Sequence, residues 1–245
     1  MADWLTEAPF AHRGLHDATA PENSFAAFVA AQQAGFGIEL DVRLTHDGIP
    51  VIFHDNAFRR MTGHRGTVSS MTLGDLIGMR LKNSDQAIPT LQGVLHAANG
   101  KSALLLDLKS ESASAGQLES TVGDEVKCYN GPVALMSMSV DSVRQVLSKQ
   151  PNVVCGWVIE RSVVQASGDS ADLIEMLIRE GLDFVACDRR TLPHRWASNA
   201  REAGLPVLAW TVTSARAHMR LQDLVDNIIF EKFLPRERPQ RSSHG

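Results

Sequence analysis

Phe36-Gly37-Ile38-Glu39-Leu40-Asp41-Val42-Arg43-Leu44-Thr45-His46-Asp47-Gly48-Ile49-Pro50-Val51-Ile52-Phe53-His54-Asp55 is the stretch on which the fold turns. Phe36 to Leu44 reads as a strand, yet Glu39 and Asp41 interrupt its apolar run. Residues two apart on a strand point to one face, so the two carboxylates share a side. Asp47-Gly48 then lies between two strand-like runs, which is a hairpin signal. Pro50 has no N–H to donate and suits the edge of such a ribbon. The strand therefore overshoots its sheet and folds back through Val51-Ile52-Phe53 to His54-Asp55.

Outward from this stretch, short apolar runs alternate with longer segments of helical period, the mark of βαβ units and a parallel sheet. Strands are expected near Pro9–His12, Phe36–Leu44, Ala103–Leu108, Val133–Met138, Val153–Ile159, Phe184–Cys187, Val207–Val212 and Asn227–Phe230. Ala103-Leu104-Leu105-Leu106 is apolar throughout, as a strand buried on both faces must be. Asn23 or Ser24 can cap a helix through Phe25, Phe28 and Val29, and Ser139 or Asp141 one through Val143, Val146 and Leu147. A third runs through Leu173, Met176 and Leu177 to Gly181, a glycine suited to the left-handed C-terminal position. Eight strands with helices between them predict an α/β fold, a (β/α)8 TIM barrel with a small insertion after the second strand. An open doubly wound sheet competes, but no GxGxxG follows an early strand.

The 245 residues suffice for one large domain, taken as 1–245. An irregular insertion rich in Gly, Ser, Arg and Thr is expected at about 55–88, and a frayed tail at about 233–245 carrying Arg236, Arg238 and Arg241. A net charge of −4 gives no footprint for nucleic acid. No apolar run approaches membrane-spanning length, and the first ten residues lack a signal-peptide core, so a cytoplasmic location without stable membrane insertion is expected. Cys128, Cys155 and Cys187 are far apart and form no CxxC pair, which predicts buried reduced thiols. Nothing in the sequence sets the oligomeric state.

Active sites of such barrels lie at the C-terminal ends of the strands. There this sequence places His12-Arg13-Gly14, the Glu39/Asp41 pair, His54-Asp55, Asp107-Leu108-Lys109, Trp210-Thr211 and Glu231-Lys232. Adjacent buried carboxylates repel and need a cation or a proton. Oxygen ligands suit one hard divalent ion, Mg2+ or Ca2+, and Asp107 can add a third ligand. His12 and His54 suit acid–base work. Arg13 and Lys109 bring the charge that a phosphate needs. His16, His46, His64, His96, His194, His218 and His244 lack such surroundings and read as ordinary.

The runs His12-Arg13-Gly14, Pro21-Glu22-Asn23-Ser24, Glu39-Leu40-Asp41-Val42, Thr45-His46-Asp47-Gly48 and Val51-Ile52-Phe53-His54-Asp55 follow one another in order. Together they resemble the glycerophosphodiester phosphodiesterases. Ile88-Pro89-Thr90-Leu91, Asp107-Leu108-Lys109 and Ala209-Trp210-Thr211-Val212 are weaker echoes, so the resemblance covers most of the chain. It implies metal-dependent hydrolysis of a small-molecule phosphodiester to sn-glycerol 3-phosphate and an alcohol. It implies Glu39, Asp41 and Asp107 as metal ligands, His12 and His54 as the acid–base pair, Arg13 and Lys109 as phosphate holders and Trp210 against the alcohol. Three positions depart from the family's pattern. Asp107 stands for the usual Glu, Thr213 for Asn and Glu231 for Asp.

Other functions fit the same barrel. A phospholipase D-like enzyme would present an apolar loop, whereas Arg59-Arg60-Met61-Thr62-Gly63-His64-Arg65 is polar. A specialist opine or sugar-phosphate diesterase would use the same groups, with Thr213 and Glu231 as its marks. A non-catalytic phosphate-binding barrel would be expected to have lost a histidine or a carboxylate.

Overall fold

The computed structural model describes residues 2–111, 116–167 and 171–235. Nine strands form one sheet: β1 (Phe10–His12), β2 (Gly37–Leu44), β3 (Pro50–Ile52), β4 (Leu104–Leu108), β5 (Val133–Ser137), β6 (Val154–Ile159), β7 (Phe184–Asp188), β8 (Val207–Val212) and β9 (Asn227–Phe230). All but β3 run parallel in the order β1-β2-β4-β5-β6-β7-β8-β9, and β9 pairs back to β1. The ring is closed, an eight-stranded barrel with helices between its strands. β3 lies antiparallel on β2, Val42 opposite Ile52 and Leu44 opposite Pro50. That is the fold-back expected from Asp47-Gly48, and Gly48 turns there at φ 80°.

The alternation of side chains along each strand decides what the barrel holds. Ile38, Leu40 and Val42 of β2 and Leu104, Leu106 and Leu108 of β4 pack outward into the large core shared with the helices. Phe10, Leu105, Met136, Val158, Phe184 and Leu208 form a second cluster, the filling of the barrel itself. Leu5, from a short 3-10 helix at Asp3–Thr6, joins that inner cluster and plugs its lower end. Asn227 holds the plug by donating to the carbonyls of Leu5 and Ala8, each at 2.7 Å. Along this inward parity, the positions nearer the C-terminal rim are His12 on β1, Glu39 and Asp41 on β2, Asp107 on β4 and Trp210 on β8.

The insertion is more ordered than its composition predicts. It has short helices at Arg59–Thr62 and Leu73–Leu76 and a separate core of Val51, Phe53, Phe58, Val68, Leu76, Met79, Leu81 and Ile88. Of the two candidate caps on the first long helix, Phe25–Gln33, Ser24 serves, accepting from Ala27 N–H. Ser139 caps the helix Val140–Lys149 in the same way. Cys155 and Cys187 are buried thiols as expected, but Cys128 is exposed. Most of the expected tail, residues 236–245 with its three arginines and His244, lies outside the described residues.

Candidate active site

β2 and β4 pair with Asp41 beside Asp107 and Glu39 beside Leu105. This register sets the three carboxylates against one another, each with an oxygen within 4.8 Å of the others. Their residues are only 2%, 1% and 6% exposed for Glu39, Asp41 and Asp107. Burial, with the charge of Asp41 added, pushes the Glu39 carboxyl up to about 7. Burial also raises Asp107. Asp41 goes the other way: burial opposes ionisation, but Lys109 and Arg13 outweigh it and hold the group ionised. Lys109 Nζ lies 3.0 Å from Asp41 Oδ1 and also bonds Asp107 Oδ2. Asp107 Oδ1 is buried with no partner. An all-oxygen donor set with an unpartnered anionic oxygen fits a hard divalent cation.

Arg13 follows the end of β1 at φ 59°, a left-handed conformation that is costly for a side-chain-bearing residue. The turn aims its backbone N–H at Glu39 Oε2, 2.9 Å away. Its guanidinium pairs with Asp41 at 3.1 Å and Glu22 at 2.7 Å. Asn23 adds a side-chain hydrogen bond to Asp41 Oδ2 at 2.8 Å. Gly14 completes the turn at φ 79°, against the backbone of Ala27. A Cβ there would come within 2.8 Å of Ala27. Gly14→Ala is therefore expected to cost about 1–3 kcal/mol of stability, measured by urea unfolding, and to slow turnover by displacing Arg13. An unchanged unfolding midpoint would refute the close contact.

The two imidazoles are held by different carboxylates. His12 Nδ1 meets Glu231 Oε2 at 3.0 Å, and His54 Nδ1 meets Asp55 Oδ1 at 2.7 Å. In both, Nε2 is the nitrogen left to meet a ligand. Burial lowers the His54 pKa from its ordinary value. Burial also opposes protonation of His12, but Glu39 and the hydrogen bond to Glu231 more than offset it, and the net shift is upward. Arg43 donates to the His54 carbonyl at 2.8 Å and pairs with Glu111, which ties the hairpin return to β2.

His12, Arg13, Glu39, His54, Asp107 and Lys109 line one cavity of about 260 Å3. Its other wall is Met136, Met138, Val158, Trp210, Thr211 and Ile229. Trp210 Nε1 is buried without a partner. Asp41 lies directly behind, through Arg13 and Lys109. All eight candidate residues thus come together. Thr213 does not line the cavity. Glu231 does not line it either, but it holds His12. His16 Nε2 lies 3.6 Å from Glu231 Oε2, beyond hydrogen-bond distance. Glu22 and Asn23 sit in a motif that reads as a helix start, and their side chains hold the site instead. Arg60 gave no signal beyond its charge.

A closed parallel barrel with carboxylates, imidazoles and fixed cations on its C-terminal rim suits one class of protein, the hydrolases of phosphoric esters, with a carboxylate cluster that could hold a metal ion. A family model, "Glycerophosphoryl diester phosphodiesterase family", matches residues 12–233, and the chain belongs to that family. Among its relatives is a protein of Mycobacterium tuberculosis named "Probable glycerophosphodiester phosphodiesterase 2", 37% identical over 91% of this chain and 86% of that one. A glycerophosphodiester phosphodiesterase of Caldanaerobacter subterraneus is 33% identical over 63% of this chain and 68% of its own. In fold, the chain is similar to an Oleispira antarctica phosphodiesterase solved in complex with the product sn-glycerol 3-phosphate. That structure has a TM-score of 0.83 and 23% identity, covering 94% of each chain.

Proposed function

We propose that this chain hydrolyses glycerophosphodiesters to sn-glycerol 3-phosphate and an alcohol, with one divalent cation, Mg2+ or Ca2+, held by Glu39, Asp41 and Asp107. The observation that carries it is the single cavity in which an oxygen-ligand cluster, two cations and two carboxylate-held imidazoles meet. The cation, when bound, supplies Lewis-acid polarisation of a phosphoryl oxygen.

The chain's own residues do the rest. Arg13 and Lys109 hold the anionic phosphate and share the charge that grows on its oxygens. His54, with its pKa lowered, stays neutral near pH 7 and takes the proton of the attacking hydroxyl, from water or from the substrate's own glycerol; in the second case a cyclic phosphate forms first and water then opens it to glycerol 3-phosphate. His12, with its pKa raised, is the ring that more readily carries a proton, and it gives that proton to the departing alcohol as the P–O bond breaks. Glu231 and Asp55 fix the two rings by accepting from Nδ1. Trp210 covers the alcohol side, its N–H available to a hydroxyl.

Release of glycerol 3-phosphate from glycerophosphocholine, glycerophosphoethanolamine and glycerophosphoglycerol, beside release of the headgroup alcohol from a lysolipid diester, tests the assignment. The expected result is metal-restored release from at least one soluble diester. A folded, metal-loaded protein that releases none overturns it. Release from the lysolipid alone would move the substrate to lipids. Among the described residues no helix is long and apolar enough to cross a membrane.

A further inference from the structure

We propose that Arg60, carried by the insertion, is a positioning residue that braces both the proton-accepting and the phosphate-holding side of the site. Its guanidinium donates to two carboxylates at once. Nε and Nη2 reach the two oxygens of Asp55 at 2.6 and 2.9 Å. Nη1 and Nη2 reach the two oxygens of Glu22 at 2.9 and 2.7 Å. Each carboxylate has a second duty. Asp55 holds Nδ1 of His54, and Glu22 holds Nη1 of Arg13, both at 2.7 Å. One unbroken line of hydrogen bonds and ion pairs therefore runs His54, Asp55, Arg60, Glu22, Arg13, Asp41.

Arg60 does not line the cavity, and its side chain is 47% exposed. It acts through its partners and not on substrate. An isolated exposed ion pair contributes little. Here the geometry differs, because one planar fork makes two bidentate contacts, and arginine alone among side chains carries enough fixed donors for both. Without it, Asp55 and Glu22 would each keep only the bond to the site residue, on carboxylates free to turn. The insertion's own core explains how the fork is placed: buried Phe58 immediately precedes the helix Arg59–Thr62. On this view the insertion is a bracket for the site.

The inference rests on the roles given above to His54 and Arg13. Its test compares wild type, Arg60→Ala and Arg60→Lys as full chains, on a diester that the wild type cleaves. Removing partners that orient active groups typically costs about 10–100-fold. Arg60→Ala is expected to lose about that much in kcat, with KM changed less than about threefold. Arg60→Lys should fall between, because its ammonium cannot span both carboxylates. Millimolar guanidinium should restore part of the alanine variant's rate and leave the wild type unchanged. In the Arg60→Ala background, Asp55→Asn should cost less than it does alone. An alanine variant within twofold of wild type overturns the inference, as does a loss that neither guanidinium nor lysine recovers. If the alanine variant does not fold, the lysine variant decides: folded and equal to wild type, it overturns the inference. A wild type that cleaves no diester overturns the proposed activity instead.

Discussion

Replacing His54 with alanine is expected to lower kcat by about 10²–10⁴-fold, and His12→Ala by a similar factor, with KM moving far less. The argument rests on opposed electrostatics. Both rings begin from an ordinary pKa of 6.5. Burial takes His54 below that value, so above it the ring is neutral and able to accept a proton. His12 is buried too, but Glu39 and the bond to Glu231 outweigh burial and take it above. Groups whose surroundings push them apart divide into base and acid. The rate should therefore follow a bell. It falls on the acid side as His54 gains a proton, at a pH below 6.5, and on the alkaline side as His12 loses one, above 6.5. Glu231→Gln removes an anion that favours charged His12, so the alkaline limb should move to lower pH. Full turnover by either alanine variant, or a profile flat from about pH 5 to 9, would sink the two-histidine scheme.

Much of this was legible in the sequence because it depends on period and order. Glu39 and Asp41 share a face at any register, and the hairpin after Leu44 follows from Asp47-Gly48. Strand ends collect at one rim once the barrel is accepted, which delivers His12, Asp107 and Trp210 together. What stayed hidden depends on which side chain meets which after closure. Glu231 lies 219 residues from His12, and only the pairing of β9 with β1 joins them. Arg60 lies 38 residues from Glu22, and no periodicity governs that meeting. Asn23 could serve as a helix cap or as a donor to Asp41. Local sequence cannot choose, because the choice is made by a carboxylate on another element. The order within the insertion was hidden for a related reason. Its apolar residues are sparse and show no period, yet six of them join Val51 and Phe53 of the hairpin return in a buried core.

Stripping divalent cation with EDTA should reduce turnover by about 10³-fold or more, and Mg2+ or Ca2+ should restore it. Electrostatics favour a cation here. Two like charges about 5 Å apart repel by about 3 kcal/mol at an effective dielectric of about 20, and this site has three. Arg13 and Lys109 supply two positive charges, but Arg13 is shared between Asp41 and Glu22, and Lys109 between Asp41 and Asp107. Glu39 and Asp107 are left with raised pKa values, and one oxygen of Asp107 has no partner. A divalent ion relieves all three strains at once, but it must displace a proton from Glu39 wherever that group is protonated. Cation affinity should therefore weaken as pH falls through about 7, and calorimetry in buffers of different ionisation heat should show proton release on binding near neutrality. Asp41→Asn should cost more than Glu39→Gln, since it also strips Arg13, Lys109 and Asn23 of their shared partner. Metal-free protein, verified by elemental analysis, that keeps its full rate would show that the cluster serves structure alone; the unpartnered Asp107 oxygen argues against that outcome, because a purely structural cluster gains nothing from a buried anionic oxygen without a partner.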